Sequence, residues 1–157
     1  MGIDVLEEKF QAYKENYPER ISDLEELARE ISRVQVCMRK LLDEITTRIC
    51  STCEASCCMC MPVEGWFTES DYFAYRMFHE APFDLRVQHD LETGCAFLGR
   101  HGCVLPKDIR PFPCVKVNCA QVTRALEENG TLEEFKKLYD ELTGLQERVW
   151  PLLKDRA

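Results

Sequence analysis

No apolar run in this sequence approaches the roughly 18 residues that a membrane-spanning helix needs, so no helical span is expected. Residues Met1 to Lys9 are acidic and lack the uncharged apolar core of a secretory leader. Gly2 follows Met1, but Leu6 occupies the position where N-myristoylation prefers Ser or Thr. The expected compartment is the cytoplasm. Positive charge is also short: 20 Lys and Arg stand against 28 Asp and Glu, a formal net charge of −8. That average field repels a nucleic-acid duplex and an anionic bilayer, so neither is an expected partner. Lys107, Arg110 and Lys116 come nearest to a basic patch.

Catalytic signatures are missing too. The sequence holds no Gly-rich phosphate loop, no nucleophile–base pair and no paired carboxylates set around a pocket. Asp71 with Glu69 reads as a helix start rather than an acid–base pair. Histidine is scarce: His79, His89 and His101 are the three, and none has a partner at i+4. His101, between Cys95 and Cys103, is the best placed of them to meet a metal. An enzymatic role would therefore rest on a metal alone.

What the chain does have is cysteine, at 37, 50, 53, 57, 58, 60, 95, 103, 114 and 119. Ten in 157 residues is below the roughly 8–10% that marks a disulfide scaffold. A single domain of this length buries about 68–70% of its unfolded surface and needs no staples. In a reducing compartment, clustered cysteines read as metal ligands or redox groups. Five thiols fall in the eleven residues from Cys50 to Cys60. The Cys50-x2-Cys53 pair has the spacing that lets a backbone turn around one ion. Cys57 and Cys58 are adjacent, and neighbouring side chains of an extended segment point opposite ways. Two metal sites, or one multinuclear site, are therefore expected. Cys95, Cys103, Cys114 and Cys119 supply the remaining thiolates, and Arg110 is expected to donate hydrogen bonds to sulfur. A divalent ion held by four thiolates keeps a net charge of about −2. The alternative for these nine residues is buried thiols or disulfides. Cys37, inside a helical pattern and without partners, reads as a small core residue.

Helical periodicity frames this cluster. Residues 3–15 read as a helix with Val5, Leu6, Phe10 and Tyr13 on one side, broken by Pro18. Ser22 and Glu25 have capping-box spacing. Leu24, Leu27, Ile31, Val34, Met38, Leu41 and Ile45 follow as a heptad seam. That seam packs either on a helix of the same chain or on a partner, as a homodimer or with another helical protein. Leu132, Phe135, Leu138, Leu142, Leu145 and Val149 repeat helically after a Thr131 N-cap, with Pro151 expected to follow the last turn. A further helix is expected near residues 116–128. Thr68 to Asp71 reads as the start of a helix carrying Tyr72, Phe73, Tyr75 and Phe78, closed by Pro82. Residues 95–105 read as two short strands around Gly99 and Gly102.

On these residues the sequence resembles the YkgJ-like cysteine-cluster proteins, a family described as zinc- or iron-chelating. The family carries a Cys-x2-Cys-x2-Cys-Cys run, a Gly-x-Cys-x-Phe-Leu segment, a cysteine, an Arg-Pro and a last cysteine. Cys50, Cys53, Cys57 and Cys58 match, followed by Gly94-Cys95, Phe97-Leu98, Cys103, Arg110-Pro111 and Cys114. The chain departs from the pattern between Cys53 and Cys57, where three residues intervene instead of two. Cys60 is placed to compensate, and Cys119 lies beyond the pattern. The resemblance implies metal chelation. Flagellin lysine N-methylases are associated with the same cluster, but the rest of such an enzyme is not visible here.

The expected architecture is mainly α. Helices at residues 1–49 and 120–157 form a scaffold, and residues 50–119 form an inserted metal-binding lobe with a short helix and a small β-hairpin. Zinc is the first-choice cofactor. Iron or a 4Fe-4S cluster, with an electron-transfer, oxidoreductase or methyltransferase-associated role, is the alternative.

Overall fold

The computed structural model describes residues 2–54, 67–79, 95, 97–99, 102–103, 105–116 and 118–154. The expectations placed on Cys57, Cys58, Cys60, Pro82, His89 and His101 lie outside the described residues. The described chain is mainly helical. Helix α1 (Ile3–Asn16) leads through a 3-10 turn (Pro18–Arg20) into the long α2 (Ile21–Cys50). A short α3 (Glu69–Arg76) follows, then a minimal antiparallel ladder of β1 (Leu98–Gly99) and β2 (Gly102–Cys103). Three more helices complete the order: α4 (Phe112–Lys116), α5 (Ala120–Glu128) and α6 (Leu132–Leu153). Among the described residues no helix is long and apolar enough to cross a membrane.

Helix α2 is the spine. Leu24, Leu27, Ala28, Ile31, Val34, Gln35, Met38, Leu42 and Ile45 are buried along it. Opposite them, Phe135, Leu142, Leu145 and Val149 of α6 are buried, so the heptad seam is covered within one chain. Two details differ from the periodic reading. Leu42 rather than Leu41 takes the buried place after Met38, because a 3.6-residue turn carries the stripe four residues on from 38. Val5 is 45% exposed, outside the stripe of Leu6, Phe10 and Tyr13.

The helix ends differ as well. Ser22 and Glu25 form no capping box, because the 3-10 turn runs straight into α2 and leaves Arg20 at the N-cap. The capping box forms at α3 instead, where the Thr68 hydroxyl accepts from the Asp71 N–H and the Asp71 carboxylate from the Thr68 N–H. Pro151 lies inside α6 rather than after it. It sits in the last turn, where few later helix bonds remain to be lost. The carbonyl of Leu152 is met from outside, by the Tyr13 hydroxyl at 3.1 Å and Arg20 Nη1 at 3.0 Å.

Aromatic packing fixes α3 between α1 and the cysteine-bearing stretch. Phe73 packs edge-on against Phe10 and Tyr13, each at 5.2 Å between centroids. Phe67 does the same with Tyr72 at 5.7 Å and Phe97 at 5.5 Å. A polar clamp joins the same helices. Arg76 grips Glu7 with both Nε (2.7 Å) and Nη2 (3.0 Å), and the Tyr72 hydroxyl adds a bond of 2.7 Å.

The Arg76 guanidinium, 8% exposed, holds the Glu7 carboxyl down at about 2. A carboxylate with a depressed folded-state pKa lends stability above its unfolded value, and that stability disappears as pH falls through the folded value. Glu7→Gln is therefore expected to cost on the order of 2 kcal/mol at neutral pH. The gap from wild type should close between pH 4.5 and about 2. Denaturant unfolding of both proteins across that window checks it.

Candidate metal centre

The described cysteines sit on three supports. Cys50 closes α2, and the chain makes one more turn to Cys53, whose N–H donates to the Cys50 carbonyl at 3.3 Å. The Cys-x2-Cys pair thus rides on the C-terminal end of the spine. Cys95 and Cys103 form the second group. Cys103 pairs with Leu98 across the β1–β2 ladder. Cys95 lies close enough to Cys103 for their charges to interact. Both thiols are free and half-buried, packed against the edge of the core. Burial pushes the Cys95 thiol up, eased by a hydrogen bond from the Phe97 N–H and raised further by Cys103. The aromatic anchor at Phe97 thereby fixes the approach of Cys95. Third, Cys114 is exposed on α4, and Cys119 is an exposed free thiol at the N-cap of α5. Cys37 is half-buried on α2 rather than in the core.

The segment joining the second and third groups is held from two sides. Gln35 of α2, 1% exposed, binds both backbone groups of Arg110. Its Oε1 accepts from the Arg110 N–H at 2.7 Å, and its Nε2 donates to the Arg110 carbonyl at 2.9 Å. Asp71 of α3, 3% exposed, accepts from the Phe112 N–H at 3.2 Å. Gln35 and Asp71 therefore fix Arg110-Pro111-Phe112, and α4 with its Cys114 follows directly. Lys116 ties the far end of α4 to α6, donating to Thr143 Oγ1 at 2.6 Å beneath the Tyr139 ring. Neither Gln35 nor the tertiary role of Asp71 was expected from the sequence.

Arg110 was expected to serve sulfur. Its guanidinium donates to two carbonyls of its own loop, Nε to Pro106 and Nη2 to Leu105, each at 3.2 Å. A second arginine missed by the sequence reading, Arg39 of α2, lies within charge range of both Arg110 and Cys103. It pairs with Asp43 at 2.8 Å. His79 is engaged elsewhere, stacked on Tyr75 at 4.8 Å with Nε2 3.2 Å from Asp108. The Asn118 side-chain nitrogen, next to Cys119 in sequence, is buried without a hydrogen-bond partner among the described residues.

Burial pushes the Asp71 carboxyl up to about 7, against the Thr68 and Phe112 N–H groups that hold it down. Both donors need acceptors. In Asp71→Asn one acceptor becomes an NH2 group aimed at a backbone N–H. We expect a loss of about 1–3 kcal/mol. The carboxyl's raised pKa means that its own stabilisation weakens as pH rises from 3.8 through about 7. The penalty of the Asn variant should therefore be larger at pH 5 than at pH 8 by thermal unfolding.

Among the described residues no three His, Cys, Asp or Glu side chains gather tightly enough to hold an ion. The described cysteines are Cys37 on α2, Cys50 and Cys53 at its end, Cys95 and Cys103 about the ladder, and Cys114 and Cys119 on α4 and before α5. Rising about 1.5 Å per residue, α2 sets Cys50 about 16 Å along the spine from Arg39. An open groove of about 500 Å³ between Thr68, Ser70, Thr143, Gln146, Glu147 and Trp150 contains no cysteine. Comparison with protein-family models, with curated proteins and with solved structures finds no match to this chain.

Proposed function

We propose that this chain is a metal-binding protein that holds zinc through cysteine thiolates, with Cys95 and Cys103 as the core of one site. The observation that carries this reading is that those two half-buried free thiols lie close enough for their charges to interact, with Arg39 within charge range of Cys103. Two thiols brought together unoxidised make half of a tetrahedral thiolate site, and nearby cations offset the charge such a site accumulates. The unpartnered Asn118 nitrogen is a donor of the kind that a neighbouring thiolate satisfies. Cys114 is the nearest further ligand in chain order, delivered by the clamped Arg110-Pro111-Phe112 segment.

In this reading Cys50 and Cys53 begin a second group, completed by Cys57, Cys58 and Cys60 from the adjoining stretch. The two-site arrangement is supported by the length of α2 between Arg39 and Cys50 and by the adjacency of Cys57 and Cys58 in sequence, which is expected to point their side chains apart. The ladder at Leu98 and Cys103 serves as the base of a β-hairpin presenting Cys95 and Cys103. The order of cysteines agrees with the YkgJ-like pattern, to which we assign the chain as part of this proposal, with the cytoplasm as its compartment.

Anaerobic purification followed by elemental analysis tests the reading. Colourless protein with one or two zinc ions per chain is the expected result. Brown protein with iron and acid-labile sulfide would replace zinc by an iron–sulfur cluster on the same thiolates. Metal-free protein with ten titratable thiols, or with disulfides, would remove the reading altogether.

A further inference from the structure

We propose that the open groove between the start of α3 and the outer face of α6 binds a neutral hydroxylated ring, a pyranose sugar, seated on Trp150 and held by the Ser70 hydroxyl. The inference does not depend on the metal reading. The groove measures about 500 Å³, inside the roughly 300–1,000 Å³ of small-molecule sites. Thr68 and Ser70 form one wall, and Thr143, Gln146, Glu147 and Trp150 of α6 form the other.

Ser70 carries the argument. It is only 3% exposed, yet among the described residues nothing bonds to its hydroxyl. A hydroxyl so covered is normally satisfied, and this one lines the groove. The start of α3 adds to the deficit. The Thr68 hydroxyl takes the Asp71 N–H. Among the described residues no acceptor meets the N–H groups of Glu69 and Ser70, which open the helix. On the facing wall, Gln146 and Glu147 make no hydrogen bond among the described residues. Thr143 is already engaged, accepting from Lys116 at 2.6 Å and donating to the Tyr139 carbonyl at 2.9 Å.

What remains open is a hydroxyl, two backbone donors, an amide and a carboxylate. They call for a ligand that donates and accepts at several points, as sugar hydroxyls do. Charge disfavours other classes. An anion would meet Glu147 in a chain of net charge −8. A cation would meet Lys116 at Thr143 and Lys154, whose ammonium lies 5.4 Å from the centre of the Trp150 ring. Trp150, 49% exposed, supplies a broad apolar plane for the C–H face of a pyranose.

The full chain, purified anaerobically, is titrated with the methyl pyranosides of glucose, galactose and mannose, and with maltose and lactose. Acetate and tetramethylammonium serve as the anionic and cationic arms. Binding is read by saturation transfer to the sugar C–H protons and by the Trp150 indole N–H signal, assigned by its loss in Trp150→Phe. The sugars should shift that signal, and neither ion should. Ser70→Ala should weaken sugar binding by about fivefold or more, and Trp150→Ala by about tenfold or more. Ser70→Ala should also melt with wild type, because the hydroxyl it removes serves no bond within the fold. The proposal is overturned if no sugar in the set binds, if an ion shifts the indole signal and the sugars do not, or if both variants bind like wild type. A clearly lowered melting temperature for Ser70→Ala would overturn it too, since the hydroxyl would then have a partner inside the protein.

Discussion

Adding a strong chelator is expected to speed amide exchange in residues 105–116 and around Cys95 and Cys103 by roughly a thousandfold, while α1, α2 and α6 keep their protection. Structural zinc in peptide models contributes about 10–16 kcal/mol of apparent binding free energy. Only about 4 kcal/mol of that, felt locally, gives the thousandfold change, because each 1.4 kcal/mol or so is about tenfold. The asymmetry comes from the core. The seam of Leu24, Ile31, Val34, Met38 and Ile45 against Leu142, Leu145 and Val149 is buried without help from any cysteine. Loop 105–111 has fewer such anchors, chiefly Leu105 and Ile109. Exchange read by mass spectrometry with and without chelator decides the point. Equal protection in both would mean that the loop is held by packing and the Gln35 clamp alone.

Gln35→Leu is expected to be the most damaging single change to the scaffold. Leucine fills nearly the same volume but removes an acceptor and a donor together. The Arg110 N–H and carbonyl are then orphaned beside a buried helix face. Each such group costs about 1–3 kcal/mol, which is a large part of the roughly 5–15 kcal/mol that holds a domain folded. The melting temperature should fall by on the order of 10 °C. Gln35→Glu should fall between, since one carboxylate oxygen still accepts from the N–H while the other opposes the carbonyl. If the Leu variant melted with wild type, the clamp would be incidental.

The helical scaffold was legible because apolar periodicity is a local signal. The same logic, read more closely, also points to Gln35. Leu24, Ala28, Ile31, Gln35, Met38, Leu42 and Ile45 step by four and three, and every one of them is buried. A lone amide in such a series is a polar group that the interior must satisfy. Choosing the neighbouring 27-34-41 ridge instead hid it and misplaced Leu42. Caps were harder to read. Ser22 with Glu25 and Thr68 with Asp71 carry similar spacing, yet only the second pair begins a helix after an extended residue. Whether a helix is entered from a turn or from another helix is set by the chain before it. Gly99 and Gly102 led to the expectation of a turn between Cys95 and Cys103, and the structure brings those two thiols within charge range of each other.

X-ray absorption at the metal edge of the anaerobically purified protein reads the atoms bound to the ion without any substitution. A shell of about four sulfur scatterers at roughly 2.3 Å, the zinc–thiolate distance, is expected. A shell made of nitrogen and oxygen alone, or a protein with no metal edge to measure, would contradict thiolate ligation.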